Sequence, residues 1–87
     1  MSSSMKLMYF AWVREKIGIN QETVSPPETV KTISELITWL ESRGPEYRAA
    51  FENRESIRAA INQTHVDHHS TLEAAAEVAF FPPVTGG

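Results

Sequence analysis

From Met5 to Ala11 the chain is apolar on both sides of a two-residue period. Leu7, Tyr9 and Ala11 fall on one face and Met8 and Phe10 on the other, which predicts a β-strand. A strand apolar on both faces is either central or turns its outer face to a partner. Trp12 to Ile17 is short and stops at Gly18, which predicts a single helical turn or a loop. Gln21 to Ser25 reads as a second, more polar strand, so residues 5–25 form a hairpin with a long connection that Pro26 and Pro27 end.

A helix follows. Thr32 and Glu35 have the spacing of a capping box, in which each side chain satisfies the other residue's backbone N–H. Ile33, Leu36, Ile37 and Leu40 then recur at helical spacing as one apolar stripe. Gly44, with Pro45 behind it, is placed to end this helix in a left-handed conformation. A second short helix is expected through Arg48, Ala49, Ala50 and Phe51.

Ile57 to Asn62 alternates as a strand, with Ile57, Ala59 and Ile61 facing inward. His65 to Ser70 is polar and reads as a loop or a very short strand. Leu72 to Glu77, with Ala74, Ala75 and Ala76 in its middle, reads as helix on propensity alone. Val78 to Phe81 forms the last strand, with Val78 and Phe80 on one face and Phe81 on the other. This order predicts an α+β fold, a mixed sheet with one main helix packed on one face.

With 87 residues, 41% hydrophobic and 22% charged, the chain has the composition of one ordinary globular domain. The expected division is a disordered extension over 1–4, a folded domain over 5–82 and a flexible tail over 83–87. The net charge of −3, with no basic stripe, argues against nucleic acid as a partner. The sequence has no cysteine, which excludes disulfides and thiolate chemistry within it and fits the reducing cytoplasm. No apolar run reaches the length of a membrane span. His65, His68 and His69, with Asp67 as the one nearby acid, read as a solvated loop and not as a metal site. No glycine-rich loop precedes a helix, so ATP binding by this chain alone is not expected.

The candidate chemistry lies in the tail. Pro82 and Pro83 stiffen it, Val84 and Thr85 favour extended backbone, and Gly86 and Gly87 lack Cβ atoms. A thin strip with a carboxylate at its tip can enter a channel too narrow for side chains. The expected reactive group is therefore the carboxylate of Gly87. Ordering four tail residues costs roughly 4–8 kcal/mol at ~1–2 kcal/mol each. An apolar docking patch offsets that at roughly 1.5–3 kcal/mol per large side chain buried. By alternation, Phe10 and Phe81 point away from the helix and supply such a patch, with Arg14 at its rim.

Three stretches carry a resemblance to a known family. They are Phe10-Ala11-Trp12-Val13-Arg14-Glu15, Ala59-Ala60-Ile61-Asn62-Gln63-Thr64, and Glu77 through Phe81-Pro82-Pro83-Val84-Thr85-Gly86-Gly87. Over nearly its whole length the chain resembles the sulfur-carrier small subunits of molybdopterin synthase. The resemblance implies the ubiquitin-like β-grasp fold. It further implies that an E1-like enzyme uses ATP to adenylate Gly87 and that a sulfur donor converts it to a thiocarboxylate. The tail then gives sulfur to cyclic pyranopterin monophosphate in the active site of the synthase large subunit, usually within a heterotetramer. On this reading the chain is not an enzyme on its own and binds no cofactor. The resemblance adds His65 to the patch, at a position where the family pattern calls for an apolar residue. It also sets Ala74-Ala75-Ala76 where a Gly-Asp type of turn is expected. Three other functions are compatible with such a terminus: a carrier for another pathway such as thiamine, a protein modifier that forms isopeptides, and a binding module with incidental glycines.

Overall fold

The computed structural model describes residues 4–83. The expectations for residues 1–3 and for Val84, Thr85, Gly86 and Gly87 fall outside the described residues. The elements run β1 (Met5–Tyr9), α1 (Ala11–Ile17), β2 (Gln21–Val24), α2 (Ile33–Glu41), α3 (Pro45–Ala50), a 3-10 turn (Arg54–Ser56), β3 (Arg58–Ile61), β4 (Thr64–Val66) and β5 (Glu77–Phe81). The five strands form one sheet in the order β2-β1-β5-β3-β4. β1 and β5 are parallel, while β1–β2, β3–β5 and β3–β4 are antiparallel. This is the mixed sheet with a main helix that the α+β reading expected, in the ubiquitin-like β-grasp layout.

The core lies between the sheet and the helices. Leu7, Tyr9, Ala59, Val78 and Phe80 face it from the strands, and Val13, Ile33, Leu36, Ile37, Leu40, Tyr47 and Ala50 from the helices. Phe80 is the centre of an aromatic group. It stacks on Tyr9 at 6.3 Å and meets the edge of Phe51 at 5.2 Å. The last strand in sequence therefore sits mid-sheet and is anchored on both sides and through its inner face.

The capping box is present as expected. The Glu35 N–H donates to Thr32 Oγ1 at 3.1 Å, and the Thr32 N–H donates to Glu35 Oε1 at 3.1 Å. Elsewhere the chain departs from its sequence pattern. β1 ends at Tyr9, and Ala11 belongs to α1, at φ 52. The segment after it is a seven-residue helix, longer than one turn, closed by Gly18 at φ 95. Gly44 does not end α2 in a left-handed conformation. The Ser42 and Arg43 N–H groups already close α2 onto the Trp39 and Leu40 carbonyls, and Gly44 is the extended N-cap of α3, with Pro45 in its first turn. The second helix consequently spans Pro45–Ala50 and not 48–51. The His65 region takes the second of its two expected forms, a short strand, β4.

The expected helix over 72–77 is absent, although three alanines favour one. Leu72 is tied to Lys31 by a backbone hydrogen bond, and Ala74 is left-handed at φ 62. The Asn62 side chain takes the local donors: its Oδ1 accepts from the Ala76 and Glu77 N–H groups at 2.9 and 3.0 Å, while its Nδ2 donates to the Ala74 carbonyl at 3.2 Å. A side chain distant in sequence thus overrides local propensity. Asn62 and Gln63 themselves form the two-residue turn between β3 and β4, both at positive φ.

Candidate functional site

Strand pairing brings the outward-facing residues together. Met8 pairs with Ala79, Ala79 with Ala60, and Ala60 with His65, which makes one row across β1, β5, β3 and β4. In the next row Arg58 pairs with Phe81, and the Phe10 N–H donates to the Phe80 carbonyl at 3.1 Å. Phe10, the residue after β1, thus lies beside the end of β5 that carries Phe81. Phe10 is 41% exposed, one of two large apolar side chains so exposed among the described residues; the other is Ile19. Phe81 is half-buried, and its ring lies 5.1 Å from that of His65. His65 is itself exposed.

The backbone at the edge of this patch is strained. Ala11, next to Phe10, holds φ 52, a region that costs a residue with a Cβ roughly 1–2 kcal/mol. That kink ends β1 and starts α1 immediately after Phe10. Arg14, one turn into α1, is exposed at the same end of the strand, where its N–H approaches the Phe10 carbonyl at 3.4 Å. Pro82 and Pro83 continue from β5 and are half-buried. The described chain therefore leaves the middle of the sheet at the end where Phe10, Phe81 and Arg58 gather.

Sequence reasoning had Phe10, Arg14, His65 and Phe81 but missed Ala60, Ala79 and Arg58 as their neighbours. These emerge only from the strand register, which no local pattern encodes. Met8 had been placed on the right face without being counted in the patch. Asn62 was also missed as the residue that fixes the approach to β5. Its signal was an asparagine at a two-residue hairpin turn, where left-handed backbone is tolerated.

The remaining polar clusters lie elsewhere. Glu22, on the core side of β2, accepts hydrogen bonds from the Tyr9 and Tyr47 hydroxyls at 2.7 Å each, and from Arg43 Nη1 at 3.1 Å. Burial works to raise the Glu22 pKa, but hydrogen bonds from Tyr47 and Tyr9 and the Arg43 charge outweigh it and hold the carboxyl below its ordinary value. Burial, and then the bond to Glu22, push Tyr47 up to about 12 and raise Tyr9 further. Arg43 also lies over the Trp39 and Tyr47 rings. The cluster ties β2 to α2 and α3. A shallow pocket of about 290 Å³ lies among Glu55, Ile57, Arg58, Val66, Asp67, His68 and His69. His68 Nε2 is 2.8 Å from the Ile57 carbonyl, and the Asp67 carboxylate accepts from the His69 N–H. Among the described residues no group of three His, Cys, Asp or Glu is arranged to hold a metal, and no helix is long and apolar enough to cross a membrane.

Comparison with known proteins agrees with the fold and the extent of the resemblance. The ThiS family pattern matches residues 7–87. The molybdopterin synthase sulfur carrier subunit of Escherichia coli is 36% identical over 83 residues, covering 95% of this chain and 99% of that protein. The human protein of the same name is 31% identical over 86 residues, covering 95% and 93%. Among solved structures, SAMP1 from Haloferax volcanii superposes with a TM-score of 0.71 at 24% identity, covering 98% of this chain and all of that one. Small archaeal modifier protein 1 from Methanosarcina acetivorans gives 0.70 at 20% identity, covering 100% and 99%. Below 25% identity these two show a shared fold and no more. With a family match across nearly its full length and relatives above 30% identity, the chain belongs to the ThiS family.

Proposed function

We propose that this protein is the sulfur-carrier subunit of molybdopterin synthase, and that Gly87 is its reactive residue. The observation that carries the reading is the near end-to-end match, at 30–36% identity, to proteins of that name from two bacteria, a fungus, an amoeba and humans. The family match extends through residue 87, the proposed site. A tail that leaves from β5, at the rigid centre of the sheet, suits delivery of a terminus to a partner.

The chemistry follows from the weakness of a carboxylate as an acyl donor, since its leaving group is oxide. An E1-like enzyme brings ATP, the Gly87 carboxylate attacks the α-phosphorus, and pyrophosphate leaves. Hydrosulfide supplied by a sulfur donor then attacks the acyl carbon and expels AMP, which leaves a thiocarboxylate. In the large subunit this sulfur bonds to a carbon of cyclic pyranopterin monophosphate, and water then cleaves its bond to the Gly87 carbonyl carbon, so that the sulfur stays on the pterin and the terminus returns to carboxylate. The bases and phosphate-binding groups belong to the partners. This chain contributes the terminus, the residues Pro82-Pro83-Val84-Thr85-Gly86 that precede it, and the docking face of Phe10, Phe81, His65 and Arg14. Its proposed place is the cytoplasm, whose reducing environment suits a sequence free of cysteine.

The test is the terminus. Deleting Gly87, or adding one residue after it, abolishes sulfur transfer in a reconstituted synthase while the melting temperature stays unchanged. Retained transfer by either variant contradicts the mechanism.

A further inference from the structure

Asn62 follows β3, and its side chain crosses to the segment that enters β5. Its Nδ2 donates to the Ala74 carbonyl at 3.2 Å, and its Oδ1 accepts from the Ala76 and Glu77 N–H groups at 2.9 and 3.0 Å. The Asn62 N–H also donates to the Glu77 carbonyl at 3.0 Å. Two local preferences oppose these bonds. Ala74, Ala75 and Ala76 favour helix. Ala74 also holds φ 62, which a residue with a Cβ keeps only where its surroundings force it. A helix over 72–77 would return Ala74 to an ordinary φ and take Ala76 and Glu77 away from the sheet. There Glu77 pairs with Lys6 as the first residue of β5, and the Ala76 carbonyl accepts from the Lys6 N–H at 3.0 Å. The same residues thus have two competing arrangements, and the Asn62 side chain favours the strand. Such a conflict between local preference and fold tends to mark a functional or strained position.

We propose that Asn62 is a positioning residue for sulfur delivery. By keeping Ala76 and Glu77 in the sheet it holds β5 at full length, and with it the base of the segment that ends at Gly87. The inference rests on the carrier function proposed for Gly87. β5 runs from Glu77, at the Asn62 bonds, to Phe81, and Pro82, Pro83 and the terminus follow it directly in the chain. Phe80 is fully buried against Tyr9 and Phe51, so burial secures the later part of the strand. Ala76 is exposed and Glu77 half-buried, so at the start of the strand hydrogen bonds decide. A carrier whose β5 starts as helix part of the time presents its terminus from a shorter strand. A partner that binds only the full strand then meets a smaller competent fraction, and its apparent affinity falls by that fraction. The bound complex, and the rate within it, stay the same.

The experiment compares the wild type with Asn62→Gly, Asn62→Asp, and Asn62→Gly combined with Ala74→Gly. One readout is amide hydrogen exchange at Ala76 and Glu77 in the free protein. The other is KM and kcat for sulfur transfer from the thiocarboxylated carrier to cyclic pyranopterin monophosphate by the large subunit. Glycine accepts the φ of 49 at position 62 and keeps the backbone bond, so Asn62→Gly removes only the side-chain bonds. It is expected to speed exchange at Ala76 and Glu77 about tenfold or more. KM is expected to rise about three- to tenfold with kcat unchanged. Asn62→Asp keeps both acceptor bonds, and its KM is expected within about twofold of wild type. Adding Ala74→Gly disfavours the helix and relieves the left-handed backbone, so it is expected to bring KM back toward wild type, which simple loss of a contact would not do. Faster exchange with an unchanged KM overturns the inference and confines Asn62 to the local fold. Unchanged exchange, or no recovery on adding Ala74→Gly, removes the competing helix and overturns it as well. Absence of transfer by the wild type overturns the carrier function instead, and the exchange pattern still decides whether Asn62 holds the start of β5.

Discussion

Phe10→Ala is expected to weaken docking to the large subunit about 30-fold while the protein stays folded. Phe10 is 41% exposed, and a large aromatic side chain has about 200 Å² to bury, so about 80 Å² remains for a partner to cover. At ~25 cal/mol per Å² that is about 2 kcal/mol, or roughly a factor of 30 in Kd. The fold loses less than it would at a core position. Phe10 makes no side-chain cap for α1, and alanine at φ −126 and ψ 153 keeps the backbone bond to the Phe80 carbonyl. A loss of about 1–2 kcal/mol in stability is expected, against about 3–5 for a buried phenylalanine such as Phe80. Isothermal titration with the large subunit, paired with thermal unfolding of the free protein, measures both quantities. A Kd within about threefold of wild type, with the variant fully folded, would refute the docking role of this side chain.

Two further outcomes probe how the fold is held. Glu22→Gln removes the charge that two tyrosine hydroxyls and Arg43 share, and is expected to cost about 1–3 kcal/mol at neutral pH. Because the folded protein holds the Glu22 carboxyl below its ordinary 4.5, the wild-type advantage is complete above that value and lost as pH falls below it. Melting curves of the two proteins should therefore converge in acid, and a gap that is constant with pH would count against the cluster. Ala74→Gly relieves the left-handed φ of 62 and is expected to stabilise the protein by about 0.5–1 kcal/mol in denaturant unfolding; a destabilisation would mean that Ala74 packs more than it strains.

Local signals were legible and distant ones were not. The start of α2 could be read because the capping box and the apolar stripe lie within ten residues of each other. β5 could be read because its alternation is bounded by Pro82 and Pro83. In contrast, the 72–77 segment was misread because Asn62, more than ten residues away, takes the donors and the carbonyl that fix its course. Ala11 was misread because alternation alone does not reveal that β1 stops at Tyr9 and that the chain turns at positive φ. Gly44 was assigned to the wrong helix because the last turn of α2 closes on itself two residues earlier. The alanines beneath the patch went unnoticed for the same reason: a strand register is a property of the sheet, and no single strand carries it.

The central claim concerns the fate of the terminal carboxylate, and intact-protein mass spectrometry addresses it most directly. The protein is incubated with its E1-like enzyme, ATP and a sulfur donor, then fragmented to locate the change. Replacement of one oxygen by sulfur, an increase of about 16 Da, at Gly87 is the expected result. An unmodified terminus under conditions where the enzyme turns over ATP, or adducts joining Gly87 to lysine side chains with no thiocarboxylate, would contradict the account.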